Sequence, residues 1–261
     1  MRMTPSLRMH DERALVSGST AGIGRAIAKR FAAEGAHVCV TGRDAQRGAD
    51  VVADIEAVGG RASFVAADLT DEDECAALVA EAIERLGGLT VLVNNAAGGG
   101  GSDGPVRELS TDAWQAVLRI NLTAPFWLCR AAVPHMIDAG HGSIVNISTR
   151  QAERASPGFS AYIASKAGLN GLTRAIAVDY ADRNIRCNTI SPGYVVNDRR
   201  DADLTGERRS RYEGMHLTRL GVADDVAHAA VYLASSEAEF VTGINLQLDG
   251  GSSIARGSVL G

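Results

Sequence analysis

The chain has 261 residues, enough for one large domain or two small ones. Hydrophobic residues make up 46% and charged residues 22%, which is typical of a globular protein and excludes a disordered chain. The formal net charge of −5 argues against a nucleic-acid partner. No apolar run reaches the roughly 18 residues of a membrane span. The first residues also lack the apolar core of a signal peptide, so we expect a cytoplasmic protein without membrane contact.

The four cysteines form no CxxC pair, and the six histidines form no HExxH motif. A disulfide framework and a metal site are therefore not expected. Cysteines in such a pattern are typically small buried hydrophobes.

Apolar β-type runs alternate with longer helical runs along the whole chain. Strands are predicted over 13–17, 36–42, 61–66, 89–93, 142–148, 184–190 and 244–248. Helices are predicted over 22–35, 44–58, 71–86, 110–139, 156–182 and 223–235. The strands are nearly continuous apolar runs, as in sheets that are covered on both faces. This predicts an α/β fold: one domain, residues 1–261, with a doubly wound parallel seven-stranded sheet and helices on both faces.

Two segments carry more specific expectations. Ser156 followed by Pro157 predicts the start of a helix, with Ser156 as the cap and proline at the first helical position. Residues 197–216 interrupt the alternation of strands and helices and are strongly charged. The length of this segment predicts a functional lid over the substrate.

A glycine-rich turn, SGSTAGIG over residues 17–24, joins the first predicted strand to the first helix. Glycines permit a tight turn and let the backbone approach a pyrophosphate, which the N-terminus of the next helix attracts. This placement favours a dinucleotide site over the alternative of a plain turn.

The spacing of these glycines and further motifs resemble the short-chain dehydrogenase/reductase family. Its TGxxxGxG motif is present here with Ser17 in place of the leading threonine. The other matching positions are Asp68, Asn94-Asn95-Ala96, Asn121, Tyr162-x-x-x-Lys166, Asn188, Pro192-Gly193, Val241-Thr242-Gly243 and Asp249-Gly250-Gly251. The resemblance implies a single-domain Rossmann-like fold. It also implies an NAD(P)-dependent oxidoreductase similar to 3-oxoacyl-acyl carrier protein reductases and related alcohol/ketone dehydrogenases.

Polar or special residues follow six different predicted strands, at the edge where open α/β sheets bind their ligands. They are Gly18, Arg43, Asp68, Asn95, Thr149 and Pro192. Together with the resemblance, this predicts that the nucleotide is bound by Gly18, Ser19, Thr20, Gly22, Ile23, Gly24, Arg43, Asp68, Leu69, Asn95, Ala96, Tyr162, Lys166, Pro192, Gly193, Val195 and Asn197.

Tyr162 and Lys166 are four residues apart on a predicted helix and therefore share one face. A nearby ammonium stabilises phenolate and lowers the pKa of a tyrosine. The resemblance implies that Lys166 acts in this way and bonds the nicotinamide ribose, while Tyr162 exchanges a proton with the substrate oxygen.

The family's catalytic serine lies 13 residues before the tyrosine, where this chain has Thr149. Successive side chains of a strand point to opposite faces, so a regular strand lets only one of Ser148 and Thr149 face the site. The count favours Thr149. The resemblance also implies that Asn121 supports a proton-relay water.

The chain departs from the family pattern at several positions. Ala97 replaces a usual glycine, and the glycines that follow, Gly98–Gly101, either let the loop approach the nicotinamide or are simply flexible. Asn197 replaces a threonine that contacts the carboxamide, and an asparagine can still bond an amide. The pairs Arg199-Arg200 and Arg208-Arg209 either hold an acidic substrate or belong to a solvated lid with local ion pairs.

The end of the second strand predicts the cofactor. Gly42 stands where an NAD-selecting carboxylate would be, and Arg43 suits the 2′-phosphate of NADP(H). NAD(H) stays possible, because Asp44 could pair with Arg43 and Ala21 replaces a basic residue of many NADP-using relatives.

Other functions remain open. A non-catalytic nucleotide-binding regulator need not keep Tyr162 and Lys166, whereas the NNAAG stretch is similar to that of double-bond reductases in the same superfamily. The resemblance implies a small-molecule substrate and a homo-oligomer, typically a tetramer. Gly168 and Gly171 would permit close helix packing, either between subunits or within one subunit.

Overall fold

The computed structural model describes residues 7–98, 101, 103–197 and 200–255. Its strands are β1 Arg13–Val16, β2 His37–Gly42, β3 Arg61–Ala66, β4 Val91–Asn94, β5 Gly142–Ile147, β6 Ile185–Pro192 and β7 Asn245–Leu248. Its helices are α1 Gly22–Ala33, α2 Ala45–Glu56, α3 Glu72–Leu86, α4 Thr111–Leu118, α5 Ala124–Ala139, α6 Ser160–Asp179, α7 Gly206–Glu213 and α8 Ala223–Ala234. Gly99 and Gly100 of the glycine run, and Arg199 of the first arginine pair, lie outside the described residues.

The seven strands form one parallel sheet in the order β3-β2-β1-β4-β5-β6-β7. Ala14 of β1 pairs with Val38 on one side and with Val91 on the other. The winding direction reverses between β1 and β4, so a crevice opens beyond the carboxyl ends of these two strands. The predicted α/β fold with a doubly wound seven-stranded sheet is confirmed.

Helices cover both faces of the sheet. One face packs against α1, α2 and α8, and the other against α3, α5 and α6, while α4 packs on α6. The alternation within β1 shows why its apolar run is continuous: Ala14 and Val16 enter the first core and Leu15 the second, all fully buried. Such double burial is the reason that β1 is a continuous apolar run.

The helix predicted over 110–139 is interrupted. Residues 119–123 form one π-helical turn between α4 and α5. Asn121 lies in this turn and is fully buried, with its amide bonded to the backbone of Gly98. A π-turn adds one residue to the helical repeat and is common where a functional side chain must be redirected.

The prediction that a helix begins at Ser156-Pro157 is wrong, because α6 begins at Ser160. Gly158 adopts φ +80, a left-handed conformation that a right-handed helix cannot include. The helix ends at Asp179 and a short 3₁₀ turn follows over 181–183, close to the predicted end.

The segment 197–216 is not wholly irregular, since it contains helix α7. Its composition, rich in arginine and glutamate without an apolar stripe, gave no periodic signal for a helix.

The described residues add three observations on other sequence features. All four cysteines are buried and free of disulfides. No group of three or more His, Cys, Asp or Glu is arranged to hold a metal within the described part of the chain. No helix in that part is long and apolar enough to cross a bilayer.

Candidate active site

The glycine-rich turn is built from glycines that no other residue could replace without strain. Gly18 has φ +61, and a Cβ there would lie 2.8 Å from the Cα of Ala96. Gly22 has φ +52, and a Cβ at Gly24 would overlap the carbonyl of Gly18 and the side chain of Asn95. The loop after β1 is therefore pressed against the residues that follow β4.

Ser17 and Asn95 lock this contact. The Ser17 hydroxyl accepts hydrogen bonds from the backbone N–H groups of Asn95 (2.9 Å) and Ala96 (3.1 Å). Asn95 Nδ2 donates to the carbonyls of Ser17 (2.9 Å) and Gly18 (3.0 Å). Ser17 is not among the predicted site residues, although it occupies the leading position of the glycine-rich motif, where the family has threonine. That position in the motif is the sequence feature from which its structural role could be predicted.

The side chains of Ser19 and Thr20 make contacts within the protein that fix the shape of the loop. The buried Ser19 hydroxyl donates to Val16 O (2.6 Å) and accepts from Thr41 N (3.0 Å). Thr20 packs over Gly42, where an added Cβ would lie 2.8 Å from Thr20 Cγ2. The end of β2 therefore presents no carboxylate, and a larger side chain there would have to displace Thr20.

The N-terminus of α1 fits a pyrophosphate. Ala21 is its cap residue and offers no side-chain acceptor, and the first turn contains no acidic residue. The N–H groups of this turn are thus free of side-chain caps and carry the positive end of the helix dipole.

Arg43 is exposed and makes no ion pair among the described residues. Asp44 instead caps α2 through Arg47 N (3.0 Å) and pairs with Arg47 Nε (2.6 Å). The alternative that Asp44 pairs with Arg43 is therefore not found.

Asp68 and Leu69 follow β3 as predicted. Asp68 accepts hydrogen bonds from the backbone and the hydroxyl of Thr70 (3.0 and 2.9 Å). These bonds hold the pKa of Asp68 below its usual range, with a smaller contribution from the charge of Arg43. Leu69 is buried.

A cavity of about 180 Å³ lies beyond the ends of β5 and β6. It brings together most of the predicted catalytic and nicotinamide-side residues. Its lining includes Gly22, Ile23, Asn95, Thr149, Tyr162, Lys166, Pro192, Gly193, Val195, Asn197 and Arg200. A larger groove of about 850 Å³ runs along α1 and α2 and contains neither Tyr162 nor Lys166, so we place the chemistry in the smaller cavity.

Lys166 is buried without a carboxylate partner in the described structure. Its side chain is 2% exposed, and Nζ donates to the carbonyl of Ile147 at 2.7 Å. Burial lowers the pKa of Lys166 to about 8. An ammonium held here costs free energy, which is typical of functional rather than structural lysines.

Tyr162 does not show the lowered pKa that the resemblance implied. Burial raises the pKa of Tyr162, opposed by a hydrogen bond from Thr149 and by the charge of Arg200. Lys166 is not among the influences on this pKa, and its ammonium donates to Ile147 O. Tyr162 is therefore a neutral phenol near pH 7, ready to donate a proton.

The end of β5 orients the two adjacent hydroxyls differently. Thr149 interacts with the Tyr162 hydroxyl and also accepts a hydrogen bond from Gln151 N at 3.3 Å. Ser148 lies against α6, where its hydroxyl donates to the Lys166 carbonyl at 3.3 Å. Both residues line the cavity, and Thr149 is the one whose hydroxyl influences the pKa of Tyr162.

Asn121 makes no hydrogen bond to Lys166 in the described structure. Its Oδ1 accepts from Gly98 N (3.0 Å), and its Nδ2 donates to Gly98 O (3.1 Å). These paired bonds fix the start of the glycine run beside the cavity.

The segment after β6 closes the cavity. Gly193 approaches Asp249 so closely that a Cβ would lie 2.9 Å from its Cα, and Val195 pairs with Gly221 in a short bridge. Asn197 lies against the glycine loop, since a Cβ at Gly22 would lie 2.9 Å from its Nδ2. The predicted residues of this segment, Pro192, Gly193, Val195 and Asn197, therefore line the cavity next to the glycine loop.

Comparison with known proteins identifies the class to which this fold and site belong. Residues 18–253 match the family described as enoyl-(acyl carrier protein) reductase. The chain belongs to the short-chain dehydrogenase/reductase family, as its motifs predicted. It is an oxidoreductase that uses a nicotinamide cofactor on an alcohol/ketone pair.

Individual relatives cover nearly the whole chain. It is 36% identical over 250 residues to 2,5-dichloro-2,5-cyclohexadiene-1,4-diol dehydrogenase of Sphingobium indicum, covering 95% of this chain and 98% of that protein. It is 38% identical over 265 residues to 3β-hydroxysteroid dehydrogenase of Mediterraneibacter gnavus, covering 94% and 95%. A solved 7α-hydroxysteroid dehydrogenase, complexed with NADH and 7-oxo glycochenodeoxycholic acid, superposes with a TM-score of 0.88 at 34% identity, covering 94% and 96%.

Proposed function

We propose that this chain is an NADP(H)-preferring enzyme in which Tyr162 exchanges the proton and Thr149 holds the substrate oxygen. The observation that carries the proposal is one cavity that contains Tyr162, Lys166 and Thr149 at the carboxyl ends of the strands. A small molecule with a hydroxyl or carbonyl group is the substrate that such a cavity accepts.

The residues divide the work as follows. The nicotinamide, when bound, supplies or accepts the hydride. Tyr162 holds the transferable proton at its hydroxyl and passes it to a carbonyl oxygen in the reducing direction. The Thr149 hydroxyl, which is held beside Tyr162, donates to the same oxygen. Lys166 orients the ribose, and Asn121 acts by fixing the loop at Gly98.

The preference for NADP(H) rests on the end of β2. The adjacent carboxylate of Asp44 does not compete for Arg43, because it is engaged by Arg47. Gly42 offers no acid to the ribose hydroxyls, and Thr20 fills the space above it. A guanidinium in this position favours a 2′-phosphate. NAD(H) is the alternative, and the measurement of kcat/KM with both cofactors decides between them.

Two other functions are less well supported. A double-bond reductase is favoured only by the description of the matching family and by the NNAAG stretch. The named hydroxysteroid dehydrogenases among the relatives favour carbonyl chemistry. A non-catalytic regulator has no need to bury an unpaired lysine beside a tyrosine.

Further proposals concern the assembly and the lid. We propose one domain over residues 1–261 in which 197–216 cover the substrate, and a homotetramer located in the cytoplasm. The described part of the lid supports the first proposal, because Asn197 and Arg200 line the cavity. Family resemblance supports the tetramer.

The decisive experiment compares the wild type with Tyr162→Phe on ketone, enoyl thioester and 3-oxoacyl thioester substrates. The variant keeps the ring and loses the proton, so turnover of the ketone should fall by roughly 10²–10⁴-fold. Cofactor binding, followed by fluorescence titration, should be nearly unchanged. A variant as active as the wild type, or a wild type that reduces only enoyl groups, would contradict the proposal.

A further inference from the structure

Arg200 is a charged residue at the cavity of Tyr162 and Thr149, and the mechanism proposed above assigns it no role. It lines the same 180 Å³ cavity as Tyr162 and Thr149. Its charge reaches the reacting hydroxyl, since it is one of the two influences that lower the pKa of Tyr162 against the effect of burial. Its side chain is 58% exposed and is therefore accessible to a small molecule.

A buried carboxylate fixes the position of this guanidinium. Asp201 has a fully buried side chain and receives Arg200 Nε (2.9 Å) on one oxygen and Nη2 (2.7 Å) on the other. The same carboxylate accepts from the Tyr194 hydroxyl (2.7 Å) and from the backbone of Asn197 (2.9 Å). All acceptor directions of Asp201 are therefore used within the lid.

Aromatic packing adds a second constraint. The guanidinium lies over the Tyr194 ring at 4.9 Å, and the ring of Tyr194 stacks on Tyr212 of α7 at 4.0 Å. Nη2 also donates to the carbonyl of Val195 at 2.9 Å. The guanidinium of Arg200 is thus held along one edge by Asp201 and on one face by the ring of Tyr194. Residues that bind ligands in preorganised sites are held in this way.

One nitrogen of Arg200 stays available. Nε and Nη2 are occupied by Asp201 and Val195, whereas Nη1 has no hydrogen-bond partner among the described residues. A guanidinium retains its charge under all ordinary conditions, and its planar N–H groups match the oxygens of a carboxylate. A neutral substrate would leave these donors to water.

We propose that Arg200 binds a carboxylate of the substrate through Nη1, so that this enzyme acts on a hydroxy acid or the corresponding oxo acid. The proposal rests on the proposed function, because the acid must be placed with its reacting oxygen at Tyr162 and Thr149. Asp201, Tyr194 and Tyr212 then serve as positioning residues that hold the guanidinium at the cavity.

The test measures discrimination between charged and neutral forms of the same substrate. The enzyme is assayed with NADP⁺ and NAD⁺ on hydroxy acids of 3 to about 20 carbons, each paired with its methyl ester. The variants are Arg200→Gln, which removes the charge, and Arg200→Lys, which keeps a cation beside Asp201. Arg208→Gln on the exposed face of α7 is the matched control, since it removes a lid arginine that does not line the cavity.

The wild type should use at least one acid with a kcat/KM at least tenfold above that of its ester. Arg200→Gln should lower kcat/KM for that acid by about 10- to 100-fold, mainly through KM, and should leave the ester within threefold. Arg200→Lys should recover part of the preference, and Arg208→Gln should leave it unchanged.

Three results would overturn the proposal. The first is a wild type whose kcat/KM is the same for acids and their esters, and the second is an Arg200→Gln variant that loses kcat/KM equally on both. The third is an Arg200→Gln variant in which only the KM of the nucleotide rises. The last result would mean that the anion at Arg200 is a cofactor phosphate. Failure of the proposed function can be distinguished from failure of this proposal. If the proposed function is wrong, Tyr162→Phe keeps its activity on neutral ketones and on acids alike.

Discussion

The backbone N–H of Tyr162 donates a 2.8 Å hydrogen bond to Oδ2 of Asp103, a residue of the loop between β4 and α4. Oδ1 of the same carboxylate accepts from Ala161 N at 3.1 Å. Helix α6 has Phe159 at its cap position and no side-chain cap of its own. Asp103 supplies this cap from a remote loop and thereby ties the helix of the catalytic pair to the segment that follows Asn95.

We expect Asp103→Ala to lower the free energy of unfolding by about 1–2 kcal/mol, the usual cost of losing a helix cap. It should also lower kcat more than it raises the KM of the nucleotide, because the first turn of α6 carries Tyr162. Denaturant unfolding and steady-state kinetics measure the two effects. Ser110→Ala removes the cap of α4 and should match the stability loss while leaving kcat nearly unchanged. Equal kcat values for the two variants would show that the cap of α6 is only structural.

The two hydroxyls after β5 should have different roles. Thr149→Ser keeps the donor beside Tyr162 and should keep activity, whereas Thr149→Val should lower kcat/KM by roughly 10²-fold or more, about 3 kcal/mol. Ser148→Ala should change the chemistry little, because its hydroxyl is directed to the Lys166 carbonyl. The three variants are compared on one ketone. A crippled Ser148→Ala beside an active Thr149→Val would reverse the assignment.

Cofactor choice should depend on Arg43. Arg43→Ala removes the unpaired guanidinium after β2 and should lower kcat/KM for NADPH by about 10- to 100-fold while changing that for NADH less than threefold. Arg85→Ala is the control, since this exposed arginine of α3 is paired with Glu81. A wild type that prefers NADH, or an Arg43→Ala variant with an unchanged ratio, would contradict the preference for NADP(H).

Lys166 should make both activity and stability depend on alkaline pH. Its pKa is lowered to about 8 in the folded chain, against 10.5 for an ordinary lysine. Between these values the unfolded chain binds more protons, so the free energy of unfolding should rise with pH across this window, by up to about 3 kcal/mol. Activity that requires the ammonium should fall as the pH rises through about 8.

Unfolding and kcat/KM are measured from pH 7 to 10.5 in the wild type and in Lys166→Met, in which both effects should vanish. Lys29→Met is the control, because Lys29 is exposed on α1 and should leave both profiles unchanged. If Lys166→Met shows the same pH dependence of unfolding and of kcat/KM as the wild type, another group than Lys166 causes both effects.

Much of the fold could be predicted from the sequence because its signals are local. Continuous apolar runs require strands that are buried on both faces, and the β1–α1 turn requires glycines at Gly18 and Gly22, whose φ angles are positive. The spacing of Tyr162 and Lys166 places both on one helical face whatever the helix packs against.

Only the tertiary structure decided the features that depend on residues far apart in the chain. The start of α6 depends on Gly158 and on Asp103, which lies 59 positions before Tyr162. The π-turn at Asn121 depends on Gly98, which its amide can reach only when the β4 loop folds back. The periodicity of apolar residues cannot predict such contacts, because each is a hydrogen bond between groups that lie far apart in the sequence and meet only in the folded chain.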